Sequence, residues 1–396
     1  MKRLILLTFT LFALYTAVAE EAKAPKIILG PYIQACGQNE FTVVWQTDTD
    51  AVCWVEIAPD DGTHFYNTER ERFYQTIHGR RPIGKWHVVT VTGLEPNTVY
   101  RYRILNKGVL LNQGNKRVRY SESKGSNVYR RQPYKVRTLD TDSKTTRFAI
   151  GNDFHDKPEL LSQLFSKEVI NQSKYDFVVY NGDMVSSFEN EQRLVESVIA
   201  PSVAQFASEV PLFFSRGNHE TRGAWAINYQ NYLPTQTGTP YYTFSDGPAF
   251  FIVLDSGEDK PDSDIEYHDL VRYDHYRQQE AQWLKNVVES KEFQQAAVKI
   301  VIIHVPPKSN GWHGEAEISK LFAPILNNVG IDVMFCAHIH KYRFTEANDT
   351  LSCCNFPIIC NPNRTRMDVE VNKEKIIYKI TDAEGKEIIN NEILIQ

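Results

Sequence analysis

The stretch Phe148-Ala-Ile-Gly-Asn-Asp-Phe-His155 joins a short apolar run to a carboxylate and an imidazole within eight positions. The same pattern recurs further along the chain, where apolar runs of strand length are followed by polar side chains. These runs span residues 177–180, 211–214, 298–303 and 333–336. A sixth apolar run, at 250–254, is not followed by such polar side chains. Near-continuous apolar strands are typical of buried sheets. The pattern therefore predicts a sheet that is covered on both faces.

Helical patterns lie between several of these runs, at residues 159–170, 191–206, 278–288 and 315–326. In the first, Leu160, Leu161 and Leu164 have the spacing of one helix face. Strands that alternate with helices indicate an α/β domain, which we place at residues 146–396. Its last segment, 368–396, returns to paired strands, with residues 383–386 as a hairpin turn.

The polar residues that follow the five strands are of the types that bind metal ions. In open α/β sheets, ligands bind beyond the carboxyl ends of the strands, so one rim should collect these side chains. Each of them alone has an ordinary explanation as a helix cap, a turn residue or a core histidine. Their joint recurrence at five strand ends instead predicts a metal site, formed by Asp153, His155, Asp183, Asn218, His304, His338 and His340, with His219 beside it.

The chemistry of these ligands narrows the choice of metal. Imidazole, carboxylate and one amide oxygen suit Mn, Zn, Fe, Co or Ni. No cysteine joins the set, which excludes a thiolate-rich structural zinc site. Seven ligands exceed the need of one tetrahedral centre, so we expect two divalent transition metal ions that share a carboxylate.

Residues 26–139 show a different pattern of apolar and polar residues. Short alternating or β-branched stretches at 41–45, 53–57, 86–91 and 99–104 are separated by turn residues. Regular short strands over this length predict a β-sandwich with a structural or recognition role. A stretch rich in Asp, Thr and Ser at 139–146 is expected to link this domain to the next.

The chain begins with the features of a secretory signal. Lys2 and Arg3 precede an apolar run at 4–15, and Ala17-Val-Ala19 offers small residues for cleavage. We expect residues 1–19 to be a signal peptide and the protein to be periplasmic or extracellular. The run is too short for a membrane anchor, and no second run of sufficient length follows.

The net charge of −5 argues against a surface that wraps nucleic acid. A cluster of Lys and Arg at 116–135, interleaved with tyrosines, is interpreted as a solvated β-hairpin. Six cysteines could be oxidised in an exported protein, and Cys353 or Cys354 with Cys360 would close a short loop. The sequence determines neither their pairing nor the oligomeric state.

The five ordered motifs, from Asp153-Phe-His155 to His338-Ile-His340, resemble those of the calcineurin-like metallophosphoesterase family over roughly residues 147–345. Gly30-Pro-Tyr-Ile-Gln34, with the following 43–47, resembles the β-sandwich that precedes the catalytic domain of purple acid phosphatases. The resemblance implies a four-layer metallophosphoesterase-type β-sandwich flanked by helices, preceded by a fibronectin III-like domain.

The chain departs from these families at three positions. Ala337 stands where the family usually has Gly, and the site is expected to tolerate its methyl group. Ser186 occupies the place of the tyrosine ligand of purple acid phosphatases, and His155 supplies a histidine that they lack. The resemblance therefore implies a general metallophosphoesterase site without the tyrosinate-to-iron colour.

The resemblance also implies roles. One metal would be held by Asp153, His155, Asp183 and His340, and the other by Asp183, Asn218, His304 and His338, with Asp183 as the bridge. His219 would contact phosphate and protonate the leaving oxygen. Glu220 either orients His219 or marks a helix start, and His313 either touches substrate or is a loop residue.

The leading hypothesis is an exported phosphohydrolase that cleaves a small phosphate ester by a metal-bridging hydroxide, with phosphomonoesters favoured. A phosphodiesterase on the same metal core is the alternative. A hypothesis from a different class is a non-catalytic exported binding protein that uses its β-sandwich. A serine hydrolase is disfavoured because no Gly-x-Ser-x-Gly motif occurs, and a P-loop is absent as well.

Overall fold

A computed structural model describes residues 24–129 and 133–395. The expected signal peptide, residues 1–19, lies outside the described residues. Within those residues, none of the helices combines the length and the apolar character needed to span a bilayer. All six cysteines are free thiols, so the short loop closed by Cys360 is not formed in this structure.

The N-terminal domain consists of seven antiparallel strands. They are β1 (Ile27–Gln34), β2 (Glu40–Pro59), β3 (Arg72–Phe73), β4 (Gly84–Thr92), β5 (Val99–Asn112), β6 (Val118–Gly125) and β7 (Tyr134–Arg137). The 20-residue strand β2 pairs with β1 and β4 along its first half and with β3 and β5 along its second half. The domain therefore has the all-β architecture that the sequence predicts.

The C-terminal domain contains two six-stranded sheets. The first has the order β10-β9-β8-β17-β18-β19, and the second the order β11-β12-β13-β14-β16-β15. The strands of the first are β8 (Thr146–Gly151), β9 (Phe177–Asn181), β10 (Leu212–Ser215), β17 (Thr365–Val371), β18 (Lys375–Asp382) and β19 (Glu387–Leu394). Those of the second are β11 (Tyr242–Asp246), β12 (Ala249–Val253), β13 (Val298–Ile302), β14 (Val333–Cys336), β15 (Arg343–Thr345) and β16 (Ile358–Cys360).

The two sheets pack face to face through large aromatic residues. Phe148 and Phe177 of the first sheet contact Phe251 of the second, with ring centroids 5.3 and 5.4 Å apart. Each sheet thus has another sheet on one face, whereas the sequence pattern alone suggested one sheet with helices on both sides. An apolar strand is buried equally by either arrangement, so periodicity does not distinguish them.

Helices cover the outer faces and complete four layers. Leu161 and Leu164 of one outer layer pack on the first sheet, and Leu284 and Ile318 of the other pack on the second. The helices are α1 (Pro158–Leu164), α2 (Lys167–Ser173), α3 (Glu191–Leu194), α4 (Ala200–Gln205), α5 (Tyr229–Tyr232), α6 (Tyr273–Val288), α7 (Lys291–Gln295), α8 (His313–Leu321) and α9 (Ala323–Leu326). This confirms the predicted α/β class. The hairpin turn expected at 383–386 lies between β18 and β19.

Buried and partly buried hydrogen bonds join the two domains. The Tyr32 hydroxyl donates to the carbonyl of Tyr232 at 2.6 Å, and the Tyr102 hydroxyl donates to that of Ser208 at 2.6 Å. The indole of Trp86 donates to Glu191 at 2.8 Å. Buried polar groups need such partners, so these contacts fix how the β domain sits against the helices and loop beside the first sheet.

Candidate metal centre

The predicted ligands all lie in loops that follow parallel strands. Strands β8, β9 and β10 of the first sheet run parallel to one another, as do β13 and β14 of the second. Their carboxyl ends therefore open onto the same rim, where the structure brings together all seven residues singled out from the sequence. Three overlapping groups, each with ligand atoms within 4.8 Å of one another, are Asp153/His155/His340, His155/Asp183/His219 and Asp183/His304/His338.

The backbone of these loops is unusual. Asp153, His155, Asp183, His338 and His340 all have positive φ, between 45° and 66°. A left-handed conformation is costly for non-glycine residues and persists only where the surroundings impose it. Five of the seven candidate ligands thus have a strained backbone, as expected where side chains must converge from separate strands.

Two glycines allow the loops to approach each other. A Cβ at Gly182, where φ is +79°, would lie 2.5 Å from the Nδ1 of His304. A Cβ at Gly217 would lie 2.3 Å from the Oδ1 of Asp183. Both distances are too short for real atoms, so a methyl group at either position would displace a ligand.

The ligand atoms face one another at short distances. The Nε2 of His304 lies 3.0 Å from the Oδ2 of Asp183, and the Nε2 of His340 lies 3.1 Å from the Oδ1 of Asp153. The ring nitrogens of His155 and His340 are 3.2 Å apart. Two carboxylates and four imidazoles thus converge on one small volume.

Charges in this volume shift the pKa values of its members. Burial opposes the charged imidazolium of His304, but the carboxylate of Asp183 overrides burial and raises the pKa of His304 to about 10. Burial and the neighbouring His304 lower the pKa of His338 to about 4. The pKa of Asp183 falls below its ordinary value because His304 lies beside it, although burial works in the opposite direction. The carboxylates therefore hold positive charge strongly, which is what a cation site requires.

One buried oxygen gives a direct test of whether these residues fit metal ions. The Oδ1 of Asn218 is buried and has no hydrogen-bond donor among the described residues. Such an atom is costly unless something electropositive satisfies it. Its neighbours are carboxylates and imidazoles, a donor set that suits first-row transition ions. The residues present therefore fit a centre that holds divalent cations.

Surrounding polar groups orient the ligands. The Nδ1 of His304 donates to the carbonyl of Asn181 at 2.7 Å, which leaves Nε2 pointing at Asp183. The amide of Asn152 donates to the Oδ2 of Asp153 at 2.7 Å, which leaves its Oδ1 facing the histidines.

Glu220 is a positioning residue whose role was not settled from the sequence. It is completely buried, and its carboxylate accepts the backbone N–H groups of Asp183 at 2.8 Å, Met184 at 2.7 Å and Gly217 at 2.9 Å. It thus ties the loop after β9 to the loop after β10. Its carboxylate hydrogen bonds go to these backbone groups, whereas the His219 ring bonds Ser186, and the helical turn that contains Glu220, His219–Thr221, has only three residues.

His219 lies at the edge of the ligand cluster. Its Nδ1 donates to the carbonyl of Ser186 at 2.7 Å, and its Nε2 lies 3.8 Å from the Oδ2 of Asp183. The side chain of Arg222 donates to the same Nε2 at 3.3 Å. Ser186 therefore contributes its backbone carbonyl to the site, at the position where purple acid phosphatases carry a tyrosine.

The sequence did not predict a group of ion pairs that lies beyond His219. Arg222 forms ion pairs with Glu258 and with Asp259, the latter at 3.2 Å. Residues 36 positions apart come together here, and no local spacing indicates such a contact. The pairing holds the guanidinium beside His219.

An open cavity of about 580 Å³ lies over the cluster. Its walls include the ligands Asp183, Asn218, His338 and His340, together with His219, Asp259, Lys308, Asn310, Gly311, Trp312, Glu315 and Ile339. Trp312 is 61% exposed at its mouth. The neighbouring His313 is not among the residues that line the cavity, and its Nε2 bonds Asp274 at 2.7 Å. A contact between substrate and His313 therefore stays a prediction, while Lys308 and Trp312 were missed.

Comparisons with known proteins agree with this geometry. Residues 146–342 match the family model described as calcineurin-like phosphoesterase, and residues 31–122 match the purple acid phosphatase N-terminal domain. The chain is 24% identical over 333 residues to "Purple acid phosphatase 18" of Arabidopsis thaliana. This alignment covers 80% of the chain but 65% of the length of that relative.

Solved structures share a lower sequence identity with this chain. A conserved uncharacterized protein of Streptococcus pneumoniae TIGR4, described as a predicted phosphoesterase, shares 11% identity with a TM-score of 0.28 and covers 63% of this chain and 98% of its own. Vacuolar Protein Sorting 29 of Cryptosporidium parvum shares 12% identity with a TM-score of 0.32. The match covers 64% of this chain and 100% of that protein's chain.

The family models and the arrangement of the site point to one class. Each of the five ligand-bearing loops lies within the part of the chain that matches the phosphoesterase model. The strands in front of it match a domain that precedes such sites. Residues 146–342 therefore form a calcineurin-like phosphoesterase domain, and a purple acid phosphatase N-terminal domain precedes it.

Proposed function

We propose that this chain is an exported phosphohydrolase with a binuclear metal centre, and that it cleaves small phosphate monoesters. The convergence of seven potential ligands on one rim carries the proposal, above all the buried and unpartnered Oδ1 of Asn218. Asp153, His155, Asp183 and His340 would hold one ion, and Asp183, Asn218, His304 and His338 the other. When bound, a pair of divalent ions supplies an acidified water as nucleophile and neutralises charge on the phosphate.

The residues outside the ligand set orient the ester. The Nε2 of His219 and an N–H group of Arg222 lie on the same side of the cluster, and Lys308 adds an ammonium to the cavity wall. A phosphate oxygen placed between His219 and Arg222 would accept from both. For catalysis His219 would carry a second proton, on Nε2, in place of the hydrogen bond that Nε2 accepts from Arg222, and it would pass that proton to the leaving oxygen, since its Nδ1 already donates to Ser186.

The cationic groups favour a monoester over a diester. A monoester carries about two negative charges near neutral pH and a diester only one, so a monoester gains more from Lys308 and Arg222. The open cavity also admits a bulky ester group, with Trp312 at its mouth. A phosphodiesterase on the same centre is the second candidate, because the metal core is compatible with either reaction.

A substrate comparison tests the proposal. The purified chain, loaded with Mn or Zn, is assayed with nitrophenyl phosphate and with the bis(nitrophenyl) ester. We expect faster turnover of the monoester, loss of activity on chelation, and close to two metal ions per chain. A higher rate on the diester would assign the second candidate. A single bound ion, metal-independent turnover, or no turnover of either ester would overturn the binuclear hydrolase.

His219 is tested separately from the metals. Replacement by alanine should lower kcat by about 10²–10⁴-fold while the metal content stays unchanged, because His219 transfers a proton but holds no ion. Unchanged activity would refute this role. A loss of metal together with activity would make His219 a ligand instead.

A further inference from the structure

A second cavity, of about 560 Å³, lies in the N-terminal domain, outside the part of the chain that carries the metal centre. Strands β2 and β5 form its floor. Trp54 and Glu56 alternate on β2, and they pair directly with Leu105 and Arg103 of β5. Side chains two positions apart share a face of a sheet, so all four point to the same side. Lys107 continues the row on β5. We name this cavity the basic pocket.

The residues between them face the opposite way. Val55 and Ile104 are completely buried in the hydrophobic core of the domain. The basic pocket is therefore the outer face of the same two strands, and its polar residues are not required to fill the core.

Aromatic rings hold the guanidinium groups of the basic pocket. The Cζ of Arg81 lies 4.4 Å from the ring centroid of Tyr74 and 5.9 Å from that of Trp54. Arg72 lies over Trp54 at 5.6 Å. A guanidinium stacked on a ring keeps its in-plane N–H groups free, which is the geometry that binds carboxylate or sulfate oxygens.

One buried carboxylate fixes this arrangement. Glu56 is 3% exposed and accepts the indole N–H of Trp54 at 3.1 Å, the hydroxyl of Tyr66 at 2.5 Å and the Nε of Arg72 at 3.1 Å. Arg81 is anchored by donation to the carbonyl of Cys53 at 2.9 Å. Against the single charge of Glu56 stand four cationic side chains, those of Arg72, Arg81, Arg103 and Lys107. The basic pocket therefore has a surplus of positive charge on preorganised side chains.

The charge of the whole domain has the same sign. Residues 26–139 contain 17 Lys and Arg and 10 Asp and Glu, whereas residues 140–396 contain 24 and 37. The chain is thus divided into a domain of net charge +7 and a remainder of −13. Such an asymmetry favours an anionic ligand for the first domain in particular.

We propose that the basic pocket binds an acidic sugar, a unit that carries a carboxylate or sulfate group, either free or within a polysaccharide. The volume is that of a site for one compact ligand. Tyr129, which is 67% exposed, offers an apolar ring face to the C–H side of a sugar. A single-stranded nucleic acid would instead stack successive bases on several free rings, whereas Trp54 and Tyr74 are already covered by guanidinium groups.

Calorimetric titration of the full-length chain with sugars tests the proposal. Glucuronate and N-acetylglucosamine 6-sulfate represent the free sugar, and polygalacturonate and chondroitin sulfate the polymer, with glucose and dextran as neutral controls. We expect binding of acidic and not of neutral forms. Binding by the polymers alone would assign the polysaccharide as the source, and binding by both would show that one unit suffices. No binding of any acidic form would overturn the proposal.

Matched variants locate the binding. Arg81→Gln and Lys107→Gln should each weaken the affinity at least about tenfold, since each removes a charged donor from the basic pocket. Lys116→Gln, which removes the same charge from the β5–β6 turn, should change it less than about twofold. Equal losses in all three variants would reveal unspecific attraction, and tighter binding of oligo-dT than of acidic sugar would assign nucleic acid. Both outcomes would overturn the proposal.

A metal-centre variant separates this site from the phosphoesterase site. Binding should persist in Asp183→Asn, because the proposed ligand does not contact the metal centre. Loss of binding in that variant would place the sugar at the metal ions and would leave the proposed hydrolysis of phosphate esters untouched.

Discussion

The metal centre and the basic pocket differ in what holds their side chains in place. At the metal centre, ligands stand on strand-end loops, and the backbone of five of them is left-handed. In the basic pocket, the floor residues stand on regular, paired strands, and ring stacking and one buried carboxylate orient the cations. A site that must gather ligands from many strands needs distorted loops, whereas a site on one face of a sheet uses the strand alternation directly.

The largest expected effect comes from changing the ligand that the two ions would share. Asp183→Asn keeps the shape of the side chain but removes the charge that both ions are proposed to share. We expect at least about a 10³-fold loss of kcat, together with metal content well below two ions per chain. Metal analysis and a phosphatase assay measure both quantities. Full metal content in this variant would show that Asp183 is not the bridge.

The second test removes no ligand at all. Gly182→Ala adds a methyl group that would lie 2.5 Å from the Nδ1 of His304, in a left-handed residue with φ +79°. We expect about a 10²-fold loss of activity and weakened metal binding, since small displacements of catalytic groups are costly. Gly79→Ala is the control, because Gly79 has the same φ of +79° and nothing within 4 Å. Equal effects of the two variants would mean that backbone strain, and not crowding of the ligands, is responsible.

The third test concerns the mouth of the cavity. Trp312 is 61% exposed there, and the N–H of its backbone donates to Glu315 at 2.8 Å, so the ring stands on a fixed loop. Trp312→Ala should raise KM for nitrophenyl phosphate about tenfold, with kcat changed little, because lost stacking weakens ground-state and transition-state binding equally. Glycerol phosphate, which has no ring, should show no change. Equal effects on both esters would show that Trp312 does not stack on the nitrophenyl ring.

The smallest expected effect is on the pH dependence of stability. It arises from a carboxyl group that contacts the linker between the domains. Burial, with Asp176 nearby, raises the pKa of Asp246 to about 7. The folded protein therefore holds a proton that the unfolded chain has lost above about pH 4, so this contribution to stability declines as pH rises from about 4 to 7. Asp246→Asn should match the wild type near pH 4 and exceed it by on the order of 1 kcal/mol at pH 8.

Urea denaturation at several pH values measures this difference in the free energy of unfolding. The asparagine oxygen can still accept the backbone N–H of Asp140, which the carboxylate accepts at 3.0 Å. A difference between variant and wild type that stays constant with pH would show that Asp246 does not titrate in this range.

Much of the metal centre was accessible from sequence spacing. Asp153 and His155, or His338 and His340, follow buried strands within a few residues, and local order along the chain suffices to place them at strand ends. The two-sheet arrangement was not accessible from periodicity. An apolar strand such as β12 is buried whether a helix or another sheet covers it, and only the resemblance to a family supplied the four layers.

The sequence by itself determined the two halves of the chain, the fold class of each, and the set of side chains proposed to bind metal, because all of these depend on local order and spacing. Only the tertiary structure decided that Glu220 ties two loops together, that Arg222 is held beside His219 by Glu258, and that Arg81 lies between Tyr74 and Trp54. The basic cluster at 116–135 drew attention in the sequence, yet the pocket forms mainly from residues before it. Contacts between distant segments depend on strand pairing and packing, which no local pattern encodes.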